Sequence, residues 1–400
     1  DCGPRSCGQT GRTAVISSFS RLAAGAQPSS SIAQNEKIYA SLARGEDPIN
    51  LSYGEATFPI PKLKISTGSL AKGAHYSESK GIPKLRNRLA RYHEATHEAS
   101  VNPDTQIMVT SGSKIGAYLL ALGFLDPGDC VILHEPSWVS YAEHARLRGA
   151  RVSYIPLDSR VSSFLESEEL PERAKLLFLA NPNNPSGHVY GPTELSRIAE
   201  QCLQNGIVLV VDESYSEFVP LNEGFMSSTA LLNDFPNVVG IHSFSKNFGL
   251  SGWRVGYVTG APEIIEKLNV FNQHLVTCAP TFLQWLLVDN FEILLEHARA
   301  EIGKLRELRP HVLKSIEEHG LSHLEGGSTF YFFIDGGPNL ADAEVFAGRL
   351  LAEEGVSVVP GNAYGVNTSR YIRISFGAEP LERINDGLGK LSALLGRTVG

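Results

Sequence analysis

The chain has 400 residues, 42% of them hydrophobic and 20% charged, which is the balance of a globular protein with enough apolar material for a large core. A formal net charge of -8 excludes a general nucleic-acid binder, because such proteins need a basic surface to displace counterions from phosphates. The longest apolar runs, such as "LLFLA" and "IVLVVD", are far too short to span a membrane.

Residues 1–19 carry arginines and serines but almost no acids, a composition that weakly suits an organelle transit segment. A flexible tail is the simpler expectation, and no signal-like apolar segment follows it. The five cysteines (Cys2, Cys7, Cys130, Cys202 and Cys278) are scattered without a CxxC pair, so neither a disulfide framework nor a metal site is expected. A reducing, cytoplasmic setting is the expectation that follows.

Between about Leu63 and Thr259, strand-like apolar runs alternate with amphipathic stretches, the pattern of a parallel sheet with crossover helices. The predicted strands are "QIMVTSG", "CVILHEP", "VSYIPL", "LLFLANP", "IVLVVDE", "VVGIHSFS" and "RVGYVTG". Several end in polar residues, and in an open α/β sheet ligands sit outside the carboxyl ends of strands, so these distant clusters can converge. After about Phe282 a long helical stretch leads into short strands, "STFYFFI", "VSVVPG" and "YIRISFG". This predicts a large domain over residues 62–285 and a smaller α+β domain from residues 20–61 and 286–400.

Within "VTSGSKIGAYLLALGFLDPGD", small residues between a strand and a helix leave backbone N–H groups at a helix start, a place for a phosphate or for plain capping. Trp138, just after the next strand, suits core packing or stacking on a planar ring. The rigid loop "NPNNPSG" offers Asn184 as a neutral donor, and Asp212 ends an apolar strand where a carboxylate is costly unless paired. Lys246 lies in "HSFSKNFGLSGWRVGYV" with Ser243, Ser245 and Arg254, donors that suit a dianionic phosphate. Each feature has an ordinary structural explanation, yet together they describe a ring with a basic nitrogen, a phenol oxygen, an aldehyde and a phosphate, which is pyridoxal 5'-phosphate.

The order of "INLSYGEATFPIP", "HYSESKGIPKLRNRLARY", "VTSGSKIGAYLLALGFLDPGD", "EPSWVSY", "NPNNPSG", "VVDESY", "SFSKNFGLSGWRVGYV", "VVPGNAYG" and "RYIRISFG" resembles the class I/II aminotransferases, which are fold type I pyridoxal-phosphate enzymes. The resemblance runs from about Ser20 to the end. It implies an α/β fold with a mostly parallel central sheet flanked by helices plus a smaller α+β domain. It also implies a homodimer with shared active sites, and transfer of an amino group from an L-amino acid to a 2-oxo acid by a ping-pong mechanism.

By the same resemblance Lys246 holds the cofactor as an internal aldimine and moves the Cα proton, and Asp212 partners the ring nitrogen. Asn184 and Tyr215 bond the ring oxygen, and Trp138 stacks on the ring. Ser113 and Lys114 (through backbone N–H), Ser243, Ser245 and Arg254 form the phosphate cup, with Tyr76 reaching in from the other subunit. Arg373 clamps the substrate α-carboxylate, with Gly54 in the loop beside it. The chain departs from the family pattern at Ala56 and Thr57, where Pro and Asp are common, and at Ser186, where Thr is usual. A lyase, cyclase or oxidase on the same fold and cofactor is the alternative, and a regulatory binding protein without turnover a third. The substrate side chain is not legible; Lys114 and Arg21 are candidate cations for a second carboxylate, and Tyr53, Phe58 and Phe330 are candidate walls for an aromatic or aliphatic side chain.

Overall fold

In the computed structural model the described residues are 19–25, 30–220, 224–338 and 340–397; the tail of residues 1–18, with Cys2 and Cys7, lies outside them. The strands in chain order are β1 (Ile49–Asn50), β2 (Ile107–Thr110), β3 (Cys130–His134), β4 (Arg151–Ile155), β5 (Ala174–Ala180), β6 (Val208–Asp212), β7 (Val238–Ser243), β8 (Gly256–Gly260), β9 (Ser322–His323), β10 (Tyr331–Asp335), β11 (Val356–Ser357), β12 (Val359–Pro360) and β13 (Tyr371–Ser375).

All seven predicted strands of the first region form one sheet in the order β2-β8-β7-β6-β5-β3-β4. It is parallel except for β8, which runs antiparallel to both β2 and β7. The strands read as continuous apolar runs because helices cover both faces: β2, β7 and β8 are buried along their whole length. One core forms on each face, one holding Ile132, Leu177 and Leu209 and the other Leu133, Phe178 and Val210. These residues alternate along β3, β5 and β6, so each strand supplies both cores.

The second region forms an antiparallel sheet in the order β12-β13-β10-β9 and a parallel pair of β1 with β11. The pairing of Ile49 with Val356 ties the segment before the large sheet to the C-terminal region. The predicted run "VSVVPG" divides into two strands that join different sheets, β11 with β1 and β12 with β13. Helix Thr281–Glu318 links the two regions. Its residues through Ala298 pack in a core of the large sheet, and from Ile302 onward in the core beneath β10 and β13.

Candidate active site

The carboxyl ends of β2, β3, β5, β6 and β7 open on one cavity of about 230 Å³, which is closed from the other side by Gly54, by Tyr331 at the start of β10 and by Arg373 in β13. One end of it starts after β2. Gly112 precedes helix Ser113–Phe124 at φ 84°, and no side chain caps that helix, so its first N–H groups remain available. A Cβ on Gly112 would fall 2.5 Å from Arg254 Nη2, so only glycine lets the guanidinium lie against this turn. The Arg254 guanidinium donates to Ser251 O at 2.7 Å and to Ser245 Oγ at 3.4 Å. Ser243 Oγ accepts from Ser245 N at 3.1 Å, capping the one-turn helix Phe244–Asn247. The Lys114 ammonium stands 5.2 Å from the Trp138 ring centre. Burial, and then Arg254, hold this amine below the usual lysine range.

Asp212 ends β6 and is 6% exposed. Its Oδ2 accepts from Tyr141 Oη at 2.7 Å, and its Oδ1 from Ser214 Oγ at 2.6 Å and Ser214 N at 3.0 Å. Burial raises this carboxyl above the ordinary aspartate range, against those hydrogen bonds. Among the described residues no Lys, Arg or His pairs with it. Tyr141 is itself fixed by stacking on Phe178, with ring centres 4.7 Å apart.

Lys246 is half-buried in the cavity wall, and its amine is pushed down to about 8. Burial is the largest cause; Glu55 acts in the opposite direction, while Arg373, Arg254 and Lys114 push further down. The Tyr215 hydroxyl meets Asn184 Nδ2 at 3.4 Å and Tyr331 Oη at 3.0 Å. Arg373 is 2% exposed; its Nη2 donates to Ser52 O at 2.8 Å and its Nη1 to Asn184 Oδ1 at 3.5 Å. The Arg373 guanidinium lies 4.5 Å over the Tyr331 ring, and its Nε is buried without a partner. A buried guanidinium with a spare donor and, among the described residues, no carboxylate partner is complementary to an incoming carboxylate.

Every residue assigned to the cofactor or to the substrate α-carboxylate lies on this cavity except Tyr76, which is 85% exposed and away from it; the Arg21 side chain is outside what the structure describes. Trp138 packs against the core that holds Leu133 and also lines the cavity. A larger hollow of about 650 Å³, beside His134, Arg160 and Glu325, contains none of the assigned residues. Sequence reasoning missed Tyr141, Ser214, Ala180 and Tyr331. Tyr141 carried a signal, standing three residues after Trp138 and so on the same helical face, and Ser214 sits two after Asp212.

The profile of the family "Aminotransferase class I and II" matches residues 46–388. An LL-diaminopimelate aminotransferase of Dehalococcoides mccartyi is 30% identical over 370 residues, covering 90% of this chain and 94% of its own. An aspartate aminotransferase of Pyrococcus abyssi is also 30% identical, with the same coverage. Among solved structures, an aspartate aminotransferase from Thermus thermophilus with maleate superposes with a TM-score of 0.83 at 27% identity, covering 95% of this chain and 100% of its own. The chain belongs to the class I and II aminotransferase family, whose fold is the type I fold expected from the motifs, and it is an aminotransferase.

Proposed function

We infer that this aminotransferase binds pyridoxal 5'-phosphate and moves an amino group from an L-amino acid to a 2-oxo acid in two half-reactions within one cavity. The observation that carries the inference is the buried Asp212 carboxylate, satisfied by Tyr141 and Ser214 yet lacking a cation among the described residues, in the same cavity as the Lys246 amine. A carboxylate so placed fits a protonated ring nitrogen, and the uncapped helix start with Ser243, Ser245 and Arg254 fits a phosphate. When bound, the cofactor supplies an electron-accepting ring that stabilises the charge left on Cα after its proton departs.

In this reading Asp212 keeps the ring nitrogen protonated. Tyr215 and Asn184 would donate to the ring oxygen, Trp138 would pack on the ring, and the N–H groups of Ser113 and Lys114 would bind the phosphate. Arg373 holds the substrate α-carboxylate beside Gly54 and so fixes the orientation of the Cα–H bond. Lys246, whose amine burial holds below the usual lysine range, would take the Cα proton.

The side chain of Lys114 is free for a further task, since its backbone N–H alone serves the phosphate. Its ammonium lines the cavity and forms no ion pair among the described residues. A substrate with a second carboxylate, such as the aspartate named for the Pyrococcus and Thermus relatives, would supply the missing anion.

Tyr76 and the exposed Ile60, Ile65 and Leu70 favour a second copy of the chain that covers them and receives Tyr76 in its cavity. The free thiols of Cys130, Cys202 and Cys278 agree with a cytoplasmic location. The division of the chain at residues 62 and 285 agrees with the two sheets, with helix Thr281–Glu318 passing from one to the other.

The test is spectroscopic. Pyridoxal phosphate added to the protein should give a visible band that Lys246→Ala lacks, an amino donor should bleach it, and a 2-oxo acid should restore it. Consumption of the donor with the band unchanged would favour the lyase, cyclase or oxidase alternative, and a wild-type protein that never forms the band would overturn the cofactor assignment.

A further inference from the structure

Lys246 sits in a helix of one turn, Phe244–Asn247, too short to hold its own orientation. Its position has to come from tertiary contacts. Ser243 caps the start of the turn, and the last residue, Asn247, does not line the cavity and is 5% exposed. The Asn247 amide reaches into a single neighbouring segment. Nδ2 donates to Glu213 O at 3.0 Å and to Ser216 Oγ at 3.0 Å, and Oδ1 accepts from Glu217 N at 3.2 Å. That segment begins next to Asp212 and contains Tyr215. It is itself anchored, because Glu213 N donates to Ile241 O at 2.8 Å and the Glu213 carboxylate accepts from Ser227 Oγ at 2.7 Å.

We propose that Asn247 is a positioning residue: one amide ties the Lys246 turn to the Asp212–Tyr215 segment and so sets where the lysine amine stands relative to those two groups. The proposal rests on the cofactor reading, because only there do Lys246, Asp212 and Tyr215 act on one molecule. Its physical basis is that reacting groups must be held to a fraction of an ångström, and displacement by about 1 Å can cost about a hundredfold in rate. The competing view is that Asn247 merely satisfies buried backbone groups, in which case its loss lowers stability alone.

The experiment compares wild type, Asn247→Ala and Asn247→Asp well below their melting temperatures. The readouts are kcat and KM for one amino donor, and the rate at which cofactor-free protein captures pyridoxal phosphate into the visible band. The expected result for Asn247→Ala is a fall of about tenfold in both kcat and capture rate, with KM within about twofold. Asn247→Asp keeps the oxygen that accepts from Glu217 N–H but sets its second oxygen against Glu213 O, and should lower kcat and capture rate at least as far as Asn247→Ala. A melting temperature that drops while kcat and capture rate stay within about twofold of wild type would overturn the proposal. Should Asn247→Ala fail to fold, Asn247→Asp decides alone: wild-type kcat and capture overturn the brace, and a reduced kcat at unchanged KM supports it. A wild-type protein that never forms the band overturns the cofactor reading and the brace with it, an outcome distinct from loss of the brace alone.

Discussion

The hydroxyl of Tyr141 donates to Oδ2 of Asp212 at 2.7 Å, linking the helix after β3 to the end of β6 across the floor of the cavity. Tyr141→Phe removes this bond and nothing else of comparable size. The Asp212 carboxyl, already raised by burial, should rise further, so that less of it is ionised to meet a protonated ring nitrogen. The expected outcome is a several-fold weaker affinity for pyridoxal phosphate and a loss of about 1 kcal/mol in stability. Spectral titration and chemical denaturation measure the two.

Gly112→Ala should strain a backbone at φ 84° and push its new methyl into Arg254. We expect about 1–3 kcal/mol of destabilisation from the left-handed conformation and the contact. The more specific consequence is on the phosphate. Affinity for pyridoxal phosphate should fall, whereas affinity for pyridoxal, which has no phosphate, should change little, as competitive binding assays would read.

Lys246 gives a pH-dependent prediction. Its folded amine is pushed down to about 8 from an ordinary value of 10.5, so between those values the unfolded chain binds more protons and stability contributed at this site rises with pH. The burden is fully present below pH 8 and is lifted as pH rises to 10.5. Lys246→Met should therefore stabilise the cofactor-free protein at about pH 7, and the gain should shrink toward pH 10.5. Denaturation midpoints of the two proteins across that range provide the measurement, and a gain that grew with pH would contradict the assignment.

Lys114→Gln tests the substrate class. If Lys114 faces a second carboxylate, KM for aspartate should rise by about tenfold or more while KM for alanine stays within about twofold, since loss of a charge-assisted hydrogen bond costs about 1.5–3 kcal/mol. Equal changes for both donors would assign Lys114 to the phosphate instead.

The parallel strands were legible because strands buried on both faces must be apolar throughout and must end in polar turns. Their carboxyl ends were then expected to bring Asp212, Ser243 and the turn after Thr110 to one side of the sheet, where ligands of such sheets sit. The antiparallel insertion of β8 between β2 and β7 was not legible, since its sequence reads like its neighbours'. Strands β1 and β9 are two residues each, shorter than any periodicity can mark. Tyr331 was missed because its contacts, the Tyr215 hydroxyl and Gly54 O, are distant in sequence and exist only once the smaller sheet closes on the larger. Tyr76 was named from the resemblance, and within one chain it reaches nothing in the cavity.

The cavity has two owners. Lys246 and Asp212 hang from the large sheet, while Arg373 and Tyr331 belong to the four-stranded one. A substrate whose carboxylate rests on Arg373 while its amino group meets the other wall would act as a rivet between the layers. Any strain that spreads the sheets would then register as weaker substrate retention, even where every residue touching the substrate is unchanged.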